Sequence, residues 1–550
     1  MIICALALLG GPQLAEARPG DIDPSFSDDG FAGFQDENLR MDTKEMAIDS
    51  RGRIIVAASA WIGGDGSNDG VVLARARPNG ASDRRFGRSG TAVVDLDATI
   101  HTVAVDHSDR IVVGGTSGGA GLVARFLSNG SVDRAFADEG VARIGDSGSR
   151  TQIRDLTLSP EGEVIAVGGS SPDDSAPRLV VAKLSSAGNP ASEFADGGRY
   201  ATRFEENVGA LAESVTFASN GDLVVAGTSG RRLGAIRLTA DGVPRSSFGL
   251  DGISVWGRGL LPGSSVEPHL GNSVQEAAID SQDRLVVAGS VCSSGSRYSV
   301  CRALVSRLTS DGVLDESFAT DGFWSDTPAS PSGVELDRKD RIVLAAKGRV
   351  KGHPLEGANL TAFRLTPSGK RDRKFSADGK ATVDARFTDD YSSAVAIDTR
   401  DRILVSGVRD RLVGAFHTDI VIARFKTSAG PANADGDGRL DPDDECDFNA
   451  ASSASGCPRV DRAVAIGPGR RRRVRVDVKS RLDRCTDDAE VRLMRARRGA
   501  DEEVARGRTD FYGTWETNAV RPQWRVYAAI AERRIPGELI CDAIETKRVG

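Results

Sequence analysis

Seven times along this chain a glycine is followed six residues later by phenylalanine, and a second glycine closes the segment four residues after that. The first copy runs from Gly20 through Asp23 and Phe26 to Gly30. The anchoring aromatics are Phe26, Phe86, Phe136, Phe194, Phe248, Phe318 and Phe375, separated by 60, 50, 58, 54, 70 and 57 residues. A period of about 58 residues requires one supersecondary unit per repeat, because a single period cannot bury its own apolar face.

A second landmark fixes the unit. A tight turn, Asp49-Ser50-Arg51-Gly52-Arg53, precedes the apolar run Ile54–Ala57, and equivalents begin at Asp106, Ser159, Ser219, Asp280, Asp337 and Asp398. The runs that follow, such as Ile111–Val113 and Leu285–Val287, are short and β-branched, as expected of strands buried on both faces. A strand before the turn (Met46–Ile48), the apolar run, a third strand ending in a basic residue (Val71–Arg75, Leu122–Arg125) and a fourth after the loop (Thr91–Val94) make four strands per period. Four antiparallel strands every 40–60 residues are the mark of a propeller blade. The rival, a parallel β-helix, has shorter coils and lacks this alternation.

The frame is offset. The chain enters at a glycine–phenylalanine loop followed by a fourth strand, Phe31–Phe34, and leaves the array after a third strand ending near Phe425. The expected fold is therefore all-β: a seven-bladed β-propeller over residues 18–430 closed by the N-terminal strand, then an acidic linker (431–457) and a small β-sandwich (458–550). Closure of this kind removes an exposed sheet edge.

Within the loop, glycine supplies a left-handed backbone conformation. Asp23, Asp83, Asp133, Asp315 and Asp372, three residues before the phenylalanine, can accept loop amides as in an Asx-turn; Ala191 and Arg245 stand there in two copies. The seven phenylalanines are read as structural plugs between neighbouring blades. The pattern Asp-x-x-Gly-Arg, then apolar-Ala-Arg-x-x-x-x-Gly-x-x-Asp-x-x-Phe-Gly, resembles the delta-sixty repeat of bacterial exported and surface proteins over roughly residues 20–430. That resemblance implies a repeat scaffold and carries no common reaction, so function must come from a site.

Ile2–Gly11 is an apolar stretch followed by Ala15-Glu16-Ala17 before Arg18, the form of a secretory signal with its cleavage site over residues 1–17; its missing basic n-region points to a truncated start. A secreted or cell-surface chain is the expectation, with no transmembrane segment once residues 1–17 are removed. Beyond Cys4, six cysteines remain: Cys292, Cys301, Cys446, Cys457, Cys485 and Cys541. An even number in an exported chain reads as disulfides; six allow fifteen connectivities, and proximity favours Cys292–Cys301 and Cys446–Cys457, leaving Cys485–Cys541.

After Gly430, Asn433, Asp435, Asp437, Asp441 and Asp444 occupy positions 1, 3, 5, 9 and 12 of an EF-hand-like count, with Gly438 at the sharp turn and Arg439 offering its carbonyl. Hard oxygen donors at this spacing suit calcium, the one cofactor expected. The segment resembles thrombospondin type-three calcium-binding linkers, although position 12 is aspartate and no flanking helices are evident. Asp65, Asn68 and Asp69 form a polar loop tip.

Residues 458–550 hold 22 Lys and Arg against 15 Asp and Glu, in a chain of net charge −7. Val474, Val476 and Val478, and again Trp524, Val526, Ala528 and Ile530, alternate with other residues; period two argues for half-buried strands, in a sandwich of immunoglobulin-like or carboxypeptidase-regulatory type. Arg470–Arg473 lacks interleaved aromatics, so it reads as a solvated charge run and not as a specific nucleic-acid site.

Catalytic residues do not declare themselves. His101, His107, His269, His353 and His417 do not recur in register, and no Ser-His-Asp order, zinc motif or phosphate loop stands out. The variable segments, including Trp61–Gly70, Ser170–Arg178, Cys292–Cys301, Gly348–Asn359, Val408–Asp419 and Gly257–Asn272, gather on the face opposite the repeated turns, where binding usually resides. The reading is a non-catalytic exported scaffold binding an extracellular protein or polysaccharide through these loops. The alternative is a propeller enzyme, a hydrolase or lyase, with carboxylates gathered in its channel.

Overall fold

A computed structural model describes residues 18–27, 29–35, 39–61, 70–145, 148–172, 176–257, 272–294, 299–326, 329–349, 358–383, 390–410 and 418–427. It further describes 459–460, 462–468, 474–480, 489–495, 502–509, 514–517, 526–530, 533–535, 539–541 and 544–545. The chain divides into two compact units, Met1–Thr427 and Ser428–Gly550. Residues 1–17, the candidate calcium ligands Asn433, Asp435, Asp437, Arg439, Asp441 and Asp444, and Cys446, Cys457 and Cys485 lie outside the described residues, as do Asp65, Asn68, Asp69 and Arg470–Arg473.

Among its described residues the first unit is all-β apart from a single turn, Ser376–Gly379. Five sheets are separate four-stranded meanders, spanning residues 99–144, 149–202, 210–256, 272–326 and 329–383. An eight-stranded sheet holds the rest. In it Arg40–Ile48, Ile54–Trp61, Gly70–Ala76 and Thr91–Asp95 follow Asp390–Ile397, Ile403–Asp410 and Thr418–Phe425, and the two groups meet only where Arg40 faces Thr418. Phe31–Phe34 runs antiparallel to Thr418–Phe425, with Phe31 opposite Ala423 and Phe34 opposite Ile420.

The core is a set of layers between sheets. Ile55, Ala57, Val71 and Leu73 pack against Ile100, Ile111, Val113 and Leu122, and each later interface repeats the arrangement. One layer joins Ile54, Val56 and Val72 to Leu404, Ile420 and Ile422 across more than 300 residues. Alternate residues of one strand thus serve two different layers, which is why the second strands show unbroken apolar runs.

The glycine–phenylalanine loops tie the layers together. All seven phenylalanines are buried to within 2 % of complete. Over Phe86 sits Arg75 of the third strand, its guanidinium carbon 4.3 Å from the ring centroid. Arg75 Nε donates to Asp83 Oδ2 at 2.9 Å, and Nη1 donates to the Ser128 carbonyl of the next loop. Arg125–Asp133–Phe136, Arg307–Asp315–Phe318 and Arg364–Asp372–Phe375 repeat the set. Asp83 Oδ1 meanwhile accepts the Arg85 amide at 3.3 Å, so one carboxylate both shapes its loop and holds the arginine.

The final set is assembled from the two ends of the array. Arg424 Nε donates to Asp23 Oδ2 at 2.8 Å, stacks 4.6 Å from the Phe26 centroid and donates to the Pro78 carbonyl at 2.7 Å. Burial, with Arg402 nearby, pushes the Arg424 guanidinium down to about 10. Burial alone would raise the Asp23 carboxyl, but Ser25 and Arg424 hold it below its ordinary value. Gly80, at φ +86°, lies so close that a Cβ would stand 2.9 Å from the Phe26 ring; the loop's leading glycine is fixed by the preceding phenylalanine as well as by its own turn.

Two sheets break the pattern and keep the charge balance. Lys183 stands in the arginine's place and pairs with Glu163 at 2.9 Å. In the next sheet Asp222 takes a position held elsewhere by arginine and meets Arg237 at 3.0 Å and Arg245 at 2.5 Å. This also corrects a boundary: the tight turn there starts at Ala218, whose amide donates to the Asp222 carbonyl at 2.9 Å as Asp49 does to Arg53, and not at Ser219. Loss of the turn's aspartate hid the true start.

The hairpins reach further than the apolar runs suggest. Leu285–Ser294 and Ser299–Leu308 take in Cys292 and Cys301, which face each other in register. Among the described residues the second unit has strands only, and Val476 joins Val491, Leu493, Val526, Ala528 and Ile530 in one buried cluster. Among the described residues no helix is long and apolar enough to cross a membrane.

Replacing one partner of the end-to-end pair leaves a buried charge uncompensated, at a cost of about 3–5 kcal/mol. Asp23→Ala should therefore lower the urea-unfolding free energy of the first unit by about that amount. Asp29→Ala, on an exposed carboxylate of the same loop, should change it by less than about 0.5 kcal/mol.

Candidate functional site

Every first strand carries one extra residue at the same place. Pairing with the second strand slips between Thr43 and Glu45, Ile100 and Thr102, Ile153 and Asp155, Ala212 and Ser214, Val274 and Glu276, Pro331 and Gly333, and Ser392 and Ala394. Such a bulge sets two residues against one and re-aims side chains. Here the extra residues are Lys44, His101, Arg154, Glu213, Gln275, Ser332 and Ser393, and all seven line one cavity of about 760 Å³. The residues after them, Glu45, Thr102, Asp155, Ser214 and Glu276, with Glu335, line a second of about 360 Å³. Glu45, Asp155 and Glu276 touch both cavities, which join them into a channel.

The bulge has a partner in the second strand. Gly115, Gly168, Gly227, Gly289 and Gly407 each face the residue before the slip. A Cβ on Gly289 would fall 1.8 Å from the Ser273 carbonyl oxygen, so the kinked strand needs a bare backbone beside it.

The first strands form the inner edges of their sheets, where amides lack a strand to pair with. Side chains from the neighbouring strand supply acceptors. Asp155 Oδ2 accepts the Val215 amide at 2.8 Å, Glu276 Oε2 accepts the Val334 amide at 2.6 Å, and Ser214 Oγ accepts the Ala277 amide at 3.1 Å. Asp155 Oδ1 also accepts from the Thr102 hydroxyl at 3.0 Å. These carboxyls thus stitch successive sheets together along the channel.

Protein surrounds them on every side while their tips face the channel. Burial, then the charges of Asp155 and Glu335, raises Glu45 well above the carboxylate range. Burial, then Glu45 and Glu335, does the same to Glu276. Burial brings Asp155 up to about 6, against the opposing Val215 amide, and Glu335 up to about 7. Glu213 also rises to about 7 through burial, although Arg154 opposes this at 3.3 Å. His101 falls to about 4 through burial and the charges of Arg154 and Lys44, so it is neutral at physiological pH.

Of the remaining histidines, His107 lies on the turn side beside Gly162, and His269, His353 and His417 fall outside the described residues. Among the described residues no group of three or more His, Cys, Asp or Glu could hold a metal ion. The variable segments lie only partly within the described residues: Trp61, Ser170, Val408, Thr418 and Asp419 are placed, and the stretches 62–69, 173–175, 258–271, 295–298, 350–357 and 411–417 are not.

Comparison with known proteins agrees with the architecture. The family described as "Domain of unknown function (DUF5122) beta-propeller" matches residues 108–136, a second strand, a third strand and the loop to Phe136. No curated protein matches the chain. Among solved structures, Drosophila Plexin A in complex with Semaphorin 1b aligns with 7 % identity over 74 % of this chain and 88 % of its own, at a TM-score of 0.34, too distant a likeness to bear on function. The repeated four-stranded sheets and the match over residues 108–136 together support a β-propeller repeat protein.

A carboxyl with a higher pKa folded than unfolded binds more protons in the folded state, so its support is fullest below the unfolded value, near 4, and is lost as pH rises through the folded value. For Asp155, Glu213 and Glu335 that window runs from about 4 to about 6 or 7. Glu45→Gln with Glu276→Gln keeps an amide oxygen as acceptor and removes the titration. Thermal melts should show this variant more stable than the parent at pH 8 and little changed at pH 5.

Proposed function

We propose that this protein is an exported, non-catalytic binding scaffold of the delta-sixty repeat type, whose seven blades form a ring closed by Phe31–Phe34 and whose ligand enters the channel from the variable-loop face. One observation carries the reading. The elements that build the array repeat from sheet to sheet, whereas the bulge position facing the larger cavity holds lysine, histidine, arginine, glutamate, glutamine and two serines. A constant frame that presents a different side chain from each strand builds a surface with no internal symmetry, as recognition of one particular ligand requires. The ligand is an extracellular protein or polysaccharide. Residues 431–457 serve as a calcium-stiffened linker through Asn433, Asp435, Asp437, Arg439, Asp441 and Asp444, and 458–550 as an accessory β-sandwich with Cys485–Cys541 as its staple.

A propeller hydrolase or lyase is the second reading, favoured by Glu213 and Glu335, whose pKa values of about 7 suit a general acid. Against it, Asp155 and Glu276 are engaged by backbone amides and Glu213 by Arg154. Purified chain lacking residues 1–17 should be passed over arrays of extracellular polysaccharides and proteins, with and without calcium, beside Gln275→Trp, which fills the exposed mouth. The binding reading expects capture without turnover, weakened at least tenfold by Gln275→Trp at unchanged melting temperature. Turnover of a polymer that Glu335→Gln abolishes would favour the enzyme, and capture indifferent to Gln275→Trp would move the site elsewhere.

A further inference from the structure

One sector of the channel mouth holds its cations with rings instead of carboxylates. The Arg40 guanidinium carbon lies 5.3 Å from the centroid of Trp61, and Lys347 Nζ lies 5.2 Å from that of Tyr391. All four residues line the same cavity as Thr418 and Val408 of the final strands. The two other cations of this mouth are already matched, Lys44 by Asp42 at 2.8 Å and Arg154 by Glu213 at 3.3 Å. Among the described residues neither Arg40 nor Lys347 makes an ion pair, and both are exposed. An aromatic face orients a cation without neutralising it, so two positive charges are presented to whatever enters.

A wall of the same cavity is made of hydroxyls and an amide, Ser330, Ser332, Ser393 and Gln275, beside Thr418, whose hydroxyl is held by the Met41 backbone. Ser332 sits at the bulge position, and its Oγ is enclosed without a hydrogen-bond partner. An enclosed hydroxyl in that state is poised for a partner from outside the chain. Deeper in the channel, burial and the neighbouring carboxylates raise Glu45 and Glu276 well above the ordinary range, which lessens the repulsion an anion meets from the floor. The cavity's 760 Å³ lies within the ~300–1,000 Å³ usual for small-ligand sites.

We propose that this sector is a site for an acidic saccharide, with Arg40 and Lys347 taking its carboxylate and the hydroxyl wall, Ser332 included, taking its hydroxyl groups. The proposal rests on the binding reading above and names the ligand class. Charge-assisted hydrogen bonds to a carboxylate are about twice as strong as neutral ones, which makes the charged group the anchor and the hydroxyls the means of orientation.

The test is calorimetric titration of the chain lacking residues 1–17 with a galacturonate trisaccharide and, separately, a galactose trisaccharide of the same linkage. Binding of the acidic probe at least tenfold tighter than the neutral one is expected, with a further loss of at least tenfold in Arg40→Gln and in Lys347→Gln and a smaller loss in Ser332→Ala. Melting temperatures, unchanged for the exposed Arg40 and Lys347 variants, exclude misfolding as the cause of their loss. Equal binding of the two probes, retention of the acidic probe by the double variant, or no heat with either would overturn the proposal. A different ligand captured at the mouth and lost with Gln275→Trp, yet indifferent to Arg40→Gln and Lys347→Gln, would overturn it while leaving the binding reading intact.

Discussion

A guanidinium buried between two sheets is the interaction on which the rest of this structure depends. Removing such a charge from water is expensive, and its environment must return that cost through geometry. Arg75, Arg125, Arg307, Arg364 and Arg424 each meet an aspartate of a glycine–phenylalanine loop, the face of that loop's phenylalanine and a carbonyl of a further segment. The last contact converts a local turn into a joint between sheets. The arrangement around Arg424 uses Asp23 and Phe26, some 400 positions earlier, so the two ends of the repeat array become parts of one joint. Where the residues change, the complement survives: Lys183 with Glu163, and Asp222 between two arginines. Charge pairing is retained even where side-chain identity is not.

Fixing the outer parts of the sheets in this way sets the separation of their inner strands. Those strands have unpaired edges and each carries a bulge; Asp155, Ser214 and Glu276 direct a side chain at an amide of the neighbouring strand. Carboxylates suit the task as acceptors but not as close neighbours of one another; the channel's acids accordingly hold protons well above the usual range. The same bulge turns a second residue per strand toward the larger cavity, where no amide needs it, and there the chain is free to vary.

Much of the fold could be read from the residues because its signals are local. Glycine, aspartate and phenylalanine at fixed spacing mark each loop, and the Asx-turn role of Asp83 involves a residue two positions away. The arginine that answers the aspartate was visible only as a basic strand end, since its stacking and its bond to the next loop are tertiary. The channel was not legible. Glu45, Asp155 and Glu276 share the register position after the bulge, but Thr102, Ser214 and Gly333 stand there in other repeats and Glu335 lies two residues further on, and a one-residue slip leaves no gap in the apolar pattern. A signal did exist: the small residues Ala58, Gly115, Gly168, Gly227, Gly289, Ala346 and Gly407 each face the bulge. Superposing the repeats on those positions would have placed all seven channel residues in one column.

The central claim is that the N-terminal loop and strand are built into the final sheet through the Arg424 joint as firmly as any internal strand. Native-state hydrogen exchange followed by mass spectrometry measures this directly. The amides of Phe31–Phe34 should exchange as slowly as those of Thr418–Phe425, both opening only with unfolding of the whole first unit. Exchange at Phe31–Phe34 that is orders of magnitude faster, while Thr418–Phe425 stays protected, would contradict it.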